Sequence, residues 1–299
     1  MSKKTGMLVL LLSFLLSVMP GRADATPLVF TDMLGRQVTL TEPVERIVAL
    51  EPSDCEILCA LGCEEMLVGR GLYCDYPESV LSLPVVQSGL EANVEQILLL
   101  DPQVVLTSDM DHIPEVIAAL ESCGIRVVVS NADTIEGVYT AIRMIGLLTD
   151  KQQKAEEIIA DMAGTFQVIR EKCPKGDQSV YFEVSPLEWG LWTAGSGTFM
   201  SELAEICGME NAFSDVQGWM PISQEQVMVR NPDFIVLLTG MGDTAAEEVM
   251  ARSGWDDIPA VREGKIYNAD SNAITRPGPR LKDAAMELYQ FLYGQSLTE

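Results

Sequence analysis

The sequence predicts an α/β protein of two similar lobes, each a mainly parallel sheet with flanking helices, joined by one long backbone helix. Three observations predict it. Short β-branched runs alternate with longer helical stretches, the pattern of strands that pair through crossover helices. Asn93-Val94-Glu95-Gln96-Ile97, followed by Asp101-Pro102, recurs as Ser223-Gln224-Glu225-Gln226-Val227, followed at the same spacing by Asn231-Pro232. Self-similarity at so long a period means two related lobes rather than a solenoid. Between the halves, Ala155, Ile158, Ile159, Met162, Phe166 and Ile169 keep one apolar stripe at helical period.

Taken in order, residues 1–25 are an address. Lys3 and Lys4 precede the apolar run Met7 to Met19, and Pro20-Gly21-Arg22 leads to Ala23-Asp24-Ala25. That is the charged region, apolar region and small-residue cleavage site of a secretory signal. The run is shorter than the about 20 residues a spanning helix needs. The mature chain is expected to begin at Thr26 and to lie free in the periplasm. No lipid anchor is expected, because the first cysteine is Cys55.

The first lobe, 26–149, opens with a hairpin over Val29 to Leu40. It continues with a strand at Arg46 to Leu50, a helix at Ser53 to Gly62, a strand at Val104 to Leu106, a helix at Glu115 to Cys123 and a strand at Arg126 to Val129. The linking helix covers 150–173, and Pro174 and Gly176 stop it. At about 1.5 Å per residue it would span roughly 36 Å, enough to run behind both lobes as a stiff hinge. The second lobe, 174–299, repeats the order with Val180 to Val184, Thr198 to Cys207, Phe234 to Leu238, Ala245 to Arg252 and Lys265 to Tyr267. A weaker pair, Leu61-Gly62-Cys63-Glu64 and Cys207-Gly208-Met209-Glu210, also falls once in each half.

Composition removes several functions. Lys and Arg number 20 against 44 Asp and Glu, a net charge of −24, so phosphate backbones and anionic lipid repel the chain and nucleic acid is excluded as a partner. His112 is the only histidine and sits in a loop, Met110-Asp111-His112-Ile113-Pro114, which rules out His-rich metal centres. Cys55, Cys59 and Cys63 recur every four residues, as a soft-metal face would. Their neighbours Ile57, Leu58, Ala60 and Leu61 favour core packing instead. Seven cysteines in an exported chain leave at least one thiol unpaired or pairing between molecules, and the connectivity of the others stays open. Gly240-Met241-Gly242-Asp243-Thr244-Ala245 resembles a dinucleotide fingerprint, but the next acid after a strand, Asp270, stands far for a ribose contact, and neither Gly-Lys-Ser nor Gly-Lys-Thr occurs. Catalysis is not expected.

Six stretches then run in a recognisable order: Asp32-Met33-Leu34-Gly35-Arg36-Gln37-Val38, Arg46-Ile47-Val48-Ala49-Leu50, Tyr73-Cys74-Asp75-Tyr76-Pro77, Asn93-Val94-Glu95, Ser223-Gln224-Glu225-Gln226-Val227 and Arg276-Pro277-Gly278-Pro279-Arg280. Over nearly all of the mature chain this resembles the class III, helical-backbone substrate-binding proteins of ABC importers for vitamin B12, Fe(III)-siderophores and haem. The resemblance implies a monomer with no catalytic reaction and no intrinsic cofactor. It would hold a metal chelate (a corrinoid, an Fe(III)-siderophore or haem) between its lobes and present it to a permease dimer driven by a cytoplasmic ATPase. A periplasmic sensor that reuses the fold is the alternative, and a nucleotide-dependent enzyme the remotest one.

A flat, partly apolar chelate wants aromatic faces and a few polar rim contacts. Candidates are Tyr73 and Tyr76 in the first lobe and Trp189, Trp192 and Trp219 in the second. Tyr73 and Trp219 resemble aromatic contacts of the B12 binders, whereas Gly89 and Ser108 stand where those binders carry further tryptophans. Arg276 would offer a planar fork to carboxylate or catecholate oxygens. Arg280 reads rather as part of a surface turn, and Arg70 is a weaker candidate at a strand end. Glu95 and Glu225 match the family's glutamates, one per lobe, that meet permease arginines. Asn93 and Ser223 read as N-caps, with Gln96 and Gln226 completing capping boxes, so helix-end propensity alone favours a carboxylate at both positions.

Overall fold

The computed structural model describes residues 27–88, 93–108, 113–174, 176–238 and 245–297. The export signal, Gly89, His112 and Gly240 to Thr244 lie outside those residues. The chain opens with an antiparallel hairpin, β1 (Leu28–Thr31) and β2 (Gln37–Leu40). Buried Asp32 fixes its turn. The carboxylate accepts from the backbone N–H of Leu34 and Arg36, pairs with the Arg36 guanidinium at 2.6 Å, and accepts from Val129 N–H. That last bond pins the hairpin to the first sheet.

The first lobe follows as β3 (Ile47–Ala49), α1 (Pro52–Ala60), β4 (Leu67–Gly71), β5 (Val85–Val86), α2 (Val94–Leu99), β6 (Val104–Thr107), α3 (Ile113–Ser122), β7 (Arg126–Val129) and α4 (Ile135–Leu148). Its sheet is wholly parallel in the order β5-β4-β3-β6-β7. Then comes α5 (Gln152–Lys172), whose 21 residues run about 31 Å. It buries Ala155, Ile159, Met162, Phe166 and Ile169, the stripe the sequence predicts, apart from half-buried Ile158. Asp150 turns the chain into it with φ 56°.

The second lobe runs β8 (Ser179–Glu183), β9 (Trp192–Ala194), α6 (Phe199–Ile206), β10 (Glu210–Asn211), β11 (Trp219–Pro221), α7 (Gln224–Arg230), β12 (Phe234–Leu237), α8 (Ala245–Met250), α9 (Pro259–Arg262), β13 (Ile266–Asn268), α10 (Ser271–Thr275) and α11 (Leu281–Tyr293). Its main sheet is parallel in the order β10-β8-β12-β13, and β9 and β11 form a separate antiparallel pair.

The order β4-β3-β6-β7 therefore returns as β10-β8-β12-β13, and the repeat reaches single hydrogen bonds. Gln103 Oε1 accepts from Arg46 N–H at 3.1 Å, and Asp233 Oδ2 accepts from Ser179 N–H at 2.9 Å. Asp101 and Asn231 both take left-handed backbone, at φ 47° and 52°, a region that short polar side chains tolerate. Gly62 and Gly208 do the same after α1 and α6.

Two structural expectations need correction. Segment 135–148, given no element from sequence, forms α4, capped by Thr134 Oγ1 and buried along Ile135, Val138, Ile142 and Ile145. Only one capping box closes. In α7 the Ser223 hydroxyl and Gln226 side chain exchange bonds with each other's backbone. In α2 the Asn93 N–H is already given to Gln87 O, so Gln96 Oε1 accepts from Gln87 N–H instead. As expected for core packing, Cys55 and Cys63 are buried and Cys59 is half-buried, and all seven cysteines are free thiols. Among the described residues no cluster of His, Cys, Asp and Glu could hold a metal, and no helix is long and apolar enough to cross a membrane.

Candidate functional site

Parallel sheets bind ligands beyond the carboxyl ends of their strands, where loops can converge without breaking the ladder. In this molecule the segments after β3, β4 and β7 meet second-lobe residues. Phe199 N–H donates to Asp133 O at 2.5 Å, and Ile135 N–H donates to Glu202 Oε2 at 2.5 Å, which ties the start of α4 to α6. Beside these ties lies a cavity of about 470 Å³ between the lobes, open to solvent on one side.

Its first-lobe wall carries Glu51 and Ser53 before and in α1, Tyr73 after β4, Ser108 after β6, and Ser130, Asn131 and Asp133 after β7. The second lobe supplies Phe199, Trp219, Asn272, Thr275 and Arg276. Trp219 is held by pairing with Ala194 across the β9–β11 ladder and by an edge-on contact with Phe199 at 5.7 Å. Gly195 makes that ladder possible. A Cβ there would stand 2.1 Å from Val216 O, so no larger residue fits. Tyr73 is 66 % exposed, so its ring is available to a ligand.

Two carboxyls bear on the cavity: Glu51 lines it, and Asp54 sits behind the lining residue Ser130. Asp54, in the first turn of α1, is fully buried and accepts from Ser130 Oγ, while its Oδ2 has no partner among the described residues. Burial pushes its carboxyl well above the ordinary 3.8, with the Ser130 bond opposing and the Glu51 charge adding. Burial also raises Glu51, against a hydrogen bond from Ser108.

The mouth is closed on one side by a four-charge bridge between the lobes. Arg276 Nη1 reaches Glu56 Oε1 at 3.0 Å and Asp75 Oδ1 at 2.6 Å, and Arg276 Nη2 donates to Tyr73 O at 3.1 Å. Arg280 grips both oxygens of the same Glu56, at 2.8 and 2.6 Å, and lies over the Tyr76 ring at 4.1 Å. The Arg276 hydrogen bond holds the Asp75 carboxyl below its usual range.

Of the residues read from sequence, the fold brings Tyr73, Trp219 and Arg276 to one cavity, with Ser108 beside Glu51. Tyr76 stands next to it under Arg280. Trp189 and Trp192 are not among the lining residues. Trp189 is 76 % exposed in a short turn before Gly190, and Trp192 pairs with Pro221 in the small sheet. Arg280 departs from the expected surface turn because Glu56 draws it in. Arg70 is buried and shapes the Tyr73 loop by donating to Gly71 O and Cys74 O. Glu95 and Glu225 stand exposed in the first turns of α2 and α7, away from the cavity. Ser223 holds the Glu225 carboxyl below its usual range. Sequence reasoning missed Glu51, Asp54, Glu56 and Asp75. The signal was there for the first two, since Glu51-Pro52-Ser53-Asp54 follows a strand and opens a helix.

A family model described as periplasmic binding protein matches residues 47–273. The chain is 32 % identical over 285 residues to the uncharacterized ABC transporter substrate-binding lipoprotein YvrC of Bacillus subtilis, covering 93 % of this chain and 89 % of that one. It is 28 % identical to the vitamin B12-binding protein of Vibrio campbellii, covering 88 % and 94 %. Among solved structures it is similar to the periplasmic haem-binding protein HutB of Vibrio cholerae, with a TM-score of 0.76 at 26 % identity, covering 83 % of this chain and 98 % of that one.

Proposed function

The chain belongs to the periplasmic binding protein family, and on that premise we propose that it captures a metal chelate between its lobes and delivers it to the permease of an ABC importer. One observation carries the reading: Tyr73 and Trp219, one aromatic from each lobe, line a single inter-lobe cavity. Aromatic faces bury a flat macrocycle without needing a charged pocket, and the serine, asparagine and threonine groups around them suit its polar rim. Relatives that bind vitamin B12 favour a corrinoid. The likeness to a haem-binding protein supports haem as the second reading. The receptor acts as a monomer without catalysis, and Glu95 and Glu225 meet the two permease subunits. We propose a mature form that begins at Thr26 without lipid, which differs from the lipoprotein YvrC. Intact mass decides that point.

The function is tested by the absorption spectrum and mass of what co-purifies, followed by titration of stripped protein. A bound corrinoid, haem or ferric chelate is expected. A protein that neither carries nor binds any of the three removes the proposal.

A further inference from the structure

Arg276 is the only lysine or arginine among the described residues that line the cavity, and the fold has already spent its charge. Glu56 and Asp75 carry two negative charges against the two positive ones of Arg276 and Arg280 at 2.6–3.0 Å, and Asp270 adds a third carboxylate 3.9 Å from Arg280, so the set has no positive charge in excess. Glu56 is buried, so Arg280 cannot swing to a ligand without stripping it of its two-oxygen partner, and Arg276 would have to give up its bonds to both Glu56 and Asp75. The N–H groups of Arg276 that remain can donate to a neutral oxygen, but the site has no net positive charge to offer. Glu51 and Asp133 line the same cavity. The internal stretches 89–92, 109–112 and 239–244, outside the described residues, contain no lysine or arginine in sequence, and the one other internal residue outside them is Lys175, which follows the linking helix.

We infer that this bridge makes the cleft selective for chelates whose rim is uncharged or cationic, with amide or hydroxamate oxygens, against chelates rimmed by carboxylates or catecholates. The inference rests on the chelate-binding reading. An amide rim can accept from Arg276 and donate to Asp133 and Glu51. A carboxylate rim brings like charges against Glu51 and Asp133 with no free cation to answer them.

The test compares two corrinoids that share one macrocycle, dicyanocobinamide with its amide rim and the heptacarboxylate dicyanocobyrinic acid. Haemin, the cationic ferric trihydroxamate ferrioxamine B and a ferric tris-catecholate complete the panel, all titrated into the stripped, full-length exported protein. Expected is an amide-rimmed or cationic probe bound at least about 100-fold more tightly than its anionic counterpart. Comparable or tighter binding of the carboxylate corrinoid, haemin or the catecholate overturns the selectivity and leaves the chelate reading standing. Binding of none removes both. Asp75→Asn, at a position 44 % exposed and so mild for folding, should narrow the ratio by about 5–10-fold by freeing part of the Arg276 charge. A melting curve like the wild type's with an unchanged ratio would assign the selectivity to something other than the bridge. Glu56→Gln repeats the test from the buried side.

A second observation stands apart from the cleft. The two most exposed large apolar side chains among the described residues are Leu99, at 86 %, and Val229, at 82 %. They occupy equivalent places in α2 and α7, each four residues after Glu95 or Glu225 and hence on the same helix face. A matched carboxylate and apolar side chain on each lobe fits a partner that is itself two-fold, and the geometry points to Leu99 and Val229 as the apolar halves of the two permease contacts. Leu99→Ser with Val229→Ser should weaken capture of the loaded protein by detergent-solubilised permease by about 10-fold, with melting and chelate affinity unchanged. If capture is unaffected while Glu95→Lys with Glu225→Lys abolishes it, the apolar assignment is wrong. If neither pair matters, docking does not use these helices.

Discussion

Trp219 is where ligand binding should be most sensitive to a single side chain. Its ring lines the cavity while its edge rests on Phe199, so Trp219→Ala removes a wall and leaves the β9–β11 ladder backbone intact. Chelate affinity is expected to fall by one to a few kcal/mol, about the loss at an interfacial aromatic hot spot, and ligand quenching of tryptophan emission should shrink with it. A titration with unchanged affinity would move the site elsewhere. Asp54 governs pH instead. Its folded-state pKa is raised above the ordinary 3.8, so its contribution to stability is fully present below that value and is lost as pH rises through the folded pKa. Asp54→Asn keeps an acceptor for Ser130 and removes the charge. It should flatten the decline of melting temperature that sets in as pH rises above 3.8, and melt no lower than wild type at neutral pH. An equally steep decline in the variant would clear Asp54 of that role. Glu56 did not stand out in the sequence, because an acid inside a helix reads as a solvated face until its partners, arginines more than two hundred residues away, are brought to it.

Helices report which contacts the chain has tuned. Gly146 in α4 meets Ala155 in α5, where an added Cβ would lie 2.7 Å from the Ala155 Cβ. Gly146→Ala should therefore destabilise by about 1–3 kcal/mol through overpacking. Gly164 sits exposed within α5 with nothing near a Cβ, so Gly164→Ala should stabilise by roughly 0.5–1 kcal/mol, the usual helix preference for alanine over glycine. Paired thermal melts check both, and the same sign for the two would contradict this packing of α4 on α5. Most elements were legible because their apolar period matches their burial, as along α5. α4 was no less legible, since Glu136, Thr140 and Arg143 recur at helical spacing opposite buried Ile135, Val138, Ile142 and Ile145 behind the cap Thr134, yet the segment was assigned no element. The α2 capping box failed for a tertiary reason, since Gln87 competes for both groups.

At the scale of the molecule, the duplication was the most informative feature of the sequence. It foretold two lobes, and their sheets share strand order down to the left-handed residues Asp101 and Asn231. The cleft was less legible. Aromatic type and position in the repeat singled out Tyr73 and Trp219, but Trp189 and Trp192 are just as aromatic, and only the path of β9 turns them from the cavity. Arg280, read as part of a surface turn, is drawn inward by Glu56 of the opposite lobe, a partner the sequence does not place beside it, while Arg276 does reach the cavity.

The central claim is that this molecule hands its cargo to a two-subunit permease, and the double reversal Glu95→Lys with Glu225→Lys tests it most directly. Both side chains are exposed and lie outside the cavity. If each glutamate meets a receptor arginine, as proposed, reversal sets like charges together, and close juxtaposition of that kind costs several kcal/mol. Chelate affinity of the purified protein and uptake by cells carrying the cognate permease are measured side by side. Uptake should collapse while affinity and melting temperature stay near wild type, with each single reversal intermediate. Uptake at the wild-type level in the double variant would contradict the account.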